Sequence, residues 1–343
     1  MRAYNIIISD PKTGNVWKPT PTGNGFVLSP GGSTFVSYIN GVTLPGALDI
    51  EFDFLQYPFA VPQGASKVTI WGVGLGMINQ ATNLNGMDFK LYAGMQKGLP
   101  LANPAQFGLI MQGQVFQGFG NWQGVNQTLE LIVNPGIARR GQDIFFNWPK
   151  NTPLKSALQM TFAQAFPKYP NPNINIDIGS ALSFPYDQSG TYTDLAQFAS
   201  MVRDLSLQAG RPVYGESYNG VDIVINGPSI NVFDGTLPKQ PKKLAFQDLV
   251  GQPTWIGAAA ISFATVLRAD YGVGDNILFP LGITAPFALT QQAAAVPNAP
   301  ASSKTAFQGT FVIQDVHHFA RYRQADAQSW NTTFTAVPLG NTG

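Results

Sequence analysis

Short β-rich runs separated by glycine, proline and asparagine turns constrain this chain more than any other feature. Between residues 1 and 150 they include Phe26-Val27-Leu28, Phe35 to Ile39, Lys67 to Trp71, Asp88 to Tyr92, Leu109 to Met111 and Thr128 to Val133. Closely spaced strands with turn signals between them predict a sandwich or barrel rather than a helical core. Gly (36) and Pro (26) are frequent across the 343 residues, yet hydrophobic residues make up 44%, so the chain is turn-rich and folded.

The pattern changes at residues 151–243. Thr152-Pro153 reads as a helix start, with Thr152 as the cap. Leu154, Ala157, Leu158, Phe162 and Phe166 follow at helical spacing and stop at Pro167. A strand is expected at Ile174 to Ile178. A second helix is expected from a Thr193 cap to a stop at Gly210, and then two strands around Asn219-Gly220. Lys239 to Lys243 reads as an exit linker. Strands return at 261–267, 276–279, 310–316 and 332–337, with a long mobile loop over Gln291 to Lys304. The expected organisation is therefore mainly β with an α+β insertion: a β domain over 1–150, an α/β insertion over 151–243 and a second β domain over 244–343. The β regions share a faint echo, strand–turn–Gly–acid–strand–Pro, at 131–149 and 265–280.

Charge narrows the function classes. Charged residues are 11% of the chain and the net charge is +1. A free-standing nucleic-acid binder would carry a basic excess. So neutral a surface is better suited to burial against other subunits. Cys is absent, which excludes disulfide scaffolds, thiolate zinc sites and thiol catalysis. The start of the chain reads as a strand and not as a signal peptide. The apolar stretch Trp255 to Val266 is too short to span a membrane, so the chain is expected to be soluble and made in a cytoplasm.

Candidate chemistry is sparse. In Leu48-Asp49-Ile50-Glu51-Phe52-Asp53-Phe54, strand alternation puts Asp49, Glu51 and Asp53 on one face and the apolar residues on the other. That face is either a metal or acid/base site or an acidic solvated face. No His joins the acids and all three lie on one strand, which favours the second reading. His317 and His318 are the only histidines, and as strand neighbours they point to opposite faces. Asp315 shares a face with His317 and could orient it. Gly215 to Asn219 lacks the second glycine of a nucleophile elbow. Trp71 to Met77 is glycine-rich like a dinucleotide loop, but Met77 replaces the last glycine and no helix is expected after it. Arg139-Arg140 and the Lys239/Lys242/Lys243 group are too small for a nucleic-acid groove. No catalytic residue, metal ligand or cofactor site is expected.

Four stretches together resemble the baseplate hub proteins of contractile-tailed bacteriophages, and equally the hub parts of contractile injection systems. They are Gly41 to Asp53; Gly190 to Phe198 in the middle region; Asp248 to Ile256 with Val266 to Asp270 and Val273 to Asp275; and Val312 to His318 with Ser329 to Phe334. The resemblance implies two tube-like β-barrel domains flanking a small α/β domain, and a non-enzymatic structural virion protein. It implies a homotrimer whose ring joins a tail tube or tube-initiator protein to a central spike. The tape measure protein and baseplate wedge are further expected partners, DNA passes only in transit, and no membrane insertion is implied. Assembly would occur in the bacterial host cytoplasm and the mature location would be the virion tail. Asp49, Glu51 and Asp53 become candidates for the channel wall. A monomeric carbohydrate-binding or hydrolytic β protein is the alternative.

Overall fold

A computed structural model of the chain describes residues 1–19, 32–60, 66–96, 104–136, 143–166, 173–216, 218–237, 239–257, 260–279, 307 and 309–339. The expected strand at Phe26 to Leu28, the Arg139-Arg140 pair and the loop at 291–304 lie outside these residues.

The first β region contains β1 (Arg2–Ser9), β2 (Phe35–Val36), β3 (Tyr38–Ile39), β4 (Val42–Thr43) and β5 (Asp49–Gln56). It continues with β6 (Ser66–Trp71), α1 (Leu75–Asn79), β7 (Asp88–Met95), β8 (Gly108–Gln123) and β9 (Asn126–Pro135). The middle region contains β10 (Ile144–Trp148), α2 (Leu154–Ala165), β11 (Asn173–Asp177), β12 (Gln188–Tyr192), α3 (Leu195–Tyr214), β13 (Asp222–Asn226) and β14 (Ser229–Phe233). The last region contains β15 (Lys242–Lys243), β16 (Thr254–Gly257), β17 (Ala260–Val266), β18 (Asn276–Leu278), β19 (Thr310–Arg321) and β20 (Trp330–Pro338). The fold is mainly β, as its turn pattern predicts.

Two compact units emerge. One joins Met1–Gln56, Gly64–Gly136 and Gln240–Gly343; the other joins Tyr57–Gln63 and Ile137–Lys239. In the first, described strands from both β regions form one 13-stranded sheet whose main path is β16-β17-β20-β19-β5-β6-β9-β8-β7-β1-β2. The seam is the antiparallel pair β5–β19, in register from Val316↔Gln56 to Arg321↔Glu51. The core continues across the seam, where Leu267, Ala320 and Trp330 of the last region join the N-terminal cluster. The N-terminal side buries Tyr4, Ile50, Phe52, Ile70, Phe89 and Leu131 in one cluster. The C-terminal side packs aromatics on one another: Phe263 stacks on Phe334 at 4.9 Å, and Phe279 meets Phe311 edge-on at 5.4 Å. Such ring pairs contribute about 0.5–1.5 kcal/mol each beyond area burial.

The second unit carries α2 and α3 with two small sheets, β10-β12 and β11-β14-β13, the β11–β14 pair being parallel. Ile144, Trp148, Leu158, Phe162, Phe198, Val202 and Ile223 belong to its buried core. Several local expectations shift here. The cap of α2 is Pro153, one residue after Thr152, and no side chain bonds the free N–H groups. Asp194, not Thr193, caps α3, its carboxylate accepting the Gln197 N–H at 2.8 Å. The helix runs past Gly210 to Tyr214 and ends before Gly215, whose φ is +91°. Gly210 is a packing glycine, because a Cβ there would lie 2.3 Å from the Tyr218 ring. The hairpin between β13 and β14 turns at Gly227-Pro228, just after the paired Asn226, whereas Asn219-Gly220 leads into β13. The echo also parts company: β10 pairs with β12 in the second unit, while β18 pairs with β15 and β19 in the first.

Candidate functional site

The seam strand β5 alternates as its sequence dictates. Ile50, Phe52 and Phe54 are buried, Asp49 and Glu51 are half-buried, and Asp53 is exposed. The acids share one face and meet basic groups of the last region. His317 Nε2 lies 2.6 Å from Asp53 Oδ1, so Asp53 accepts the ring N–H. Arg321 stands directly across from Glu51, with Nε to Oε2 at 3.6 Å, and its guanidinium lies 5.7 Å from the Trp71 ring. Asp49 accepts the main-chain N–H of Arg323 at 2.9 Å, while the Arg323 side chain turns to the carbonyls of Pro45 and Ala47. On β6 the ammonium of Lys67 reaches Glu130 at 2.6 Å rather than Asp53, its registered neighbour. Exposed cross-strand pairs of this kind contribute about 0.2–1 kcal/mol each, so the ladder selects register more than it adds stability.

The two histidines occupy opposite faces, as strand geometry requires. His318 is buried against Phe54, rings 6.0 Å apart and nearly parallel, with Nδ1 2.9 Å from Thr332 Oγ1. Burial, then the neighbouring His317, lowers its pKa to about 3. The carboxylate against His317 is Asp53 from the seam, not Asp315. The bulge of β19 lies before Asp315, which stays in register with His317 and acts on it through charge alone. Burial raises the Asp315 pKa, opposed by its hydrogen bond to Thr335.

Behind the seam lies a buried charge cluster that residue patterns alone did not single out. Arg268 is 1% exposed. Its Nε and Nη2 bond the two Asp270 oxygens at 2.7 Å each, Nη1 lies 3.1 Å from Asp248, and the Tyr271 ring is 4.1 Å away. Burial alone would lower the guanidinium pKa, but the bonds to Asp270 and Asp248 hold it above its ordinary value. Asp248 also accepts from Gln106 at 3.2 Å, and the Arg268 N–H donates to Thr332 at 3.2 Å. A polar chain thus runs His318–Thr332–Arg268–Asp248–Gln106, tying the last β region to the first. Its one hydroxyl–imidazole pair, Thr332 Oγ1 and His318 Nδ1, is closed off from solvent, with Thr332 0% and His318 2% exposed, and the chain joins the two β regions.

The glycine-rich segment does lead into a helix, contrary to expectation, but α1 is five residues long with Gly74 at its cap. It serves as a cover. A Cβ at Gly120 of β8 would lie 2.3 Å from Ile78, and one at Gly118 would lie 2.6 Å from the Ala81 carbonyl. The lysines separate: Lys239 lies 3.9 Å from Asp177, and Lys242 bonds Asp275 at 2.7 Å. Ser217 lies outside the described residues. Among those residues no three metal-ligating side chains converge, and no helix is long and apolar enough to cross a membrane. A shallow depression of about 270 Å³ is lined by Leu207, Gln208, Arg211, Pro212 and Glu216 at the end of α3.

No protein-family model matches the chain, and no curated protein is similar to it. Solved structures are. One is a component of the type VI secretion system of Escherichia coli, c3393, described as structurally similar to the T4 bacteriophage tail proteins gp27 and gp5. It is 13% identical with a TM-score of 0.48, covering 87% of this chain and 76% of that one. Another is the 43 kDa tail protein of prophage MuSo2 from Shewanella oneidensis, 7% identical with a TM-score of 0.49, covering 99% and 98%. A third is the half-lidded PdpA–VgrG complex of Francisella, 7% identical with a TM-score of 0.46, covering 99% of this chain and 58% of that one. A type VI secretion system component, a prophage tail protein and a PdpA–VgrG complex are thus what this chain is similar to in structure, at very low sequence identity.

Proposed function

We propose that the chain is a non-enzymatic structural subunit of a contractile-tail baseplate, a hub that assembles as a homotrimeric ring between the tail tube and the central spike. One observation carries the reading: two β regions far apart in sequence share a single sheet through β5–β19, around a self-contained α/β insertion. One subunit thereby presents two β regions joined through a shared core, so three subunits can supply six such regions to a ring. The low charge content supports burial between subunits.

The polar face of β5, with Asp49, Glu51 and Asp53, is assigned to the channel through which DNA passes in transit. Glu51 and Glu130 are paired there with Arg321 and Lys67, Asp53 with His317, and Asp49 with a main-chain N–H. Such a wall offers a phosphate chain little cation to bind and few counterions to release. Virion location, assembly in the host cytoplasm, and contacts with tape measure and wedge proteins belong to the same proposal.

Native mass spectrometry and electron microscopy of the chain with its tube and spike partners test it. A three-subunit ring with a central channel is the expected result; a monomer in the assembled particle overturns it. Peptidoglycan or glycan hydrolysis by the purified chain, abolished by Asp49→Asn or Glu51→Gln, would overturn the non-enzymatic part.

A further inference from the structure

The hairpin β8–β9 outgrows the sheet that supports it. Strand β7 begins at Asp88, opposite Gln114, so the rest of β8 has no β7 partner. Main chain of Gly86 and Met87 bonds Val115, and the Asn85 side chain takes the Gly118 N–H at 2.7 Å. From Phe119 to Gln123 no described strand lies along that edge. Phe116, at a bulge between Val115 and Gln117, is 65% exposed; Trp122 is 61% exposed and Val125, at the tip, 97%. Trp122 Nε1 donates to the Gly124 carbonyl at 2.8 Å, which fixes the indole in place. Residues 98–129 contain no charged side chain.

Exposed edge strands of solitary proteins are normally blunted by lysine or proline, or are covered. This overhang has neither residue, and its Trp122 indole is held by the Gly124 carbonyl.

We propose that the overhang is an assembly arm that pairs with the β16 edge of a second copy. Strand β16 is the terminal strand at the other end of the same sheet among the described residues. Residues 249–267 are likewise free of charge, and Ile256 on β16 is 57% exposed, with Phe246 nearby in sequence 71% exposed. Both edges are neutral, so pairing them strands no charge. A nucleic acid or an anionic membrane would require cations that neither stretch has. Each copy carries one arm and one receiving edge, which makes the contact head-to-tail, and a head-to-tail contact that closes gives a ring. The inference rests on the ring reading above and names the contact that builds it.

The absence of cysteine permits a direct test. Val125→Cys and Ile256→Cys are introduced together and separately, and a short bis-maleimide is applied to the assembled protein. The double variant is expected to cross-link into a closed trimer, and neither single variant should cross-link. Independently, Phe116→Ser with Trp122→Ser, both exposed, should leave circular dichroism unchanged and weaken association at least tenfold by sedimentation. If assembled protein does not cross-link and the serine variant assembles normally, this contact is wrong while the ring stands. A cross-link from Val125→Cys alone overturns the head-to-tail geometry. A chain monomeric at every concentration, with and without spike, removes both.

Discussion

The Arg268 guanidinium is enclosed by two carboxylates and an aromatic ring, so its removal leaves Asp248 and Asp270 facing each other with little water. Breaking one side of a buried ion group costs about 3–5 kcal/mol. Arg268→Met should lose about that much in urea denaturation, and Arg268→Lys should recover part of it; a loss under about 1 kcal/mol would contradict the assigned role. His318 makes a second prediction. Its folded pKa of about 3 lies below the unfolded value of 6.5, so the unfolded chain binds more protons between these limits. Its contribution is fully present above pH 6.5 and is lost as pH falls toward 3, at about 1.4 kcal/mol per pH unit within the window. Denaturation between about pH 4 and 6 should show that slope, and His318→Gln should flatten it by one proton; an unchanged slope would place the linkage elsewhere. The opposite faces of the two histidines were legible from adjacency alone. The partner of His317 was not, because Asp53 lies 264 positions away and only strand pairing unites them.

Elements obeyed their periodicity but not always their punctuation. The alternation in β5 and the helical spacing of α2 located both, since a half-buried strand and an amphipathic helix each repeat over several residues. Single-residue signals misled where packing outweighed local preference. Gly210 was expected to stop α3, yet its hydrogen side is filled by Tyr218, whose hydroxyl bonds Asp234 at 3.3 Å. Gly210→Ala is therefore expected to destabilise by about 1–3 kcal/mol through overpacking, despite alanine's better helix propensity. Thermal unfolding checks this, and a raised Tm would show that Tyr218 moves aside at no cost. Asn219-Gly220 misled for a related reason: two asparagine–glycine pairs flank β13, and only the chain's later course decides which one adjoins the hairpin turn. The cluster at Arg268 left no periodic trace, because its members come from widely separated positions, among them Gln106, Asp248, Arg268 and Thr332.

At the scale of the whole molecule, the seam decides what the chain presents to a channel. Its polar face carries Glu51 opposite Arg321, Asp53 beside His317 and Asp49 against a main-chain N–H. In a ring of three copies, reversing Asp49 and Asp53 to lysine would turn the proposed wall basic and leave the Glu51–Arg321 pair intact. The apolar face is untouched, so the sheet should form, but loss of the bonds to Arg323 N–H and His317 and the new lysine opposite Lys67 should lower Tm. Phosphates would then displace their counterions onto the new ammonium groups, and affinity for DNA would fall steeply with added salt. Assembled particles carrying Asp49→Lys with Asp53→Lys should therefore form normally but eject DNA more slowly, with the defect relieved at high ionic strength. Particles that eject at the unmodified rate at every salt concentration would move this face off the channel. Salt-insensitive failure to assemble would move it to a subunit contact instead.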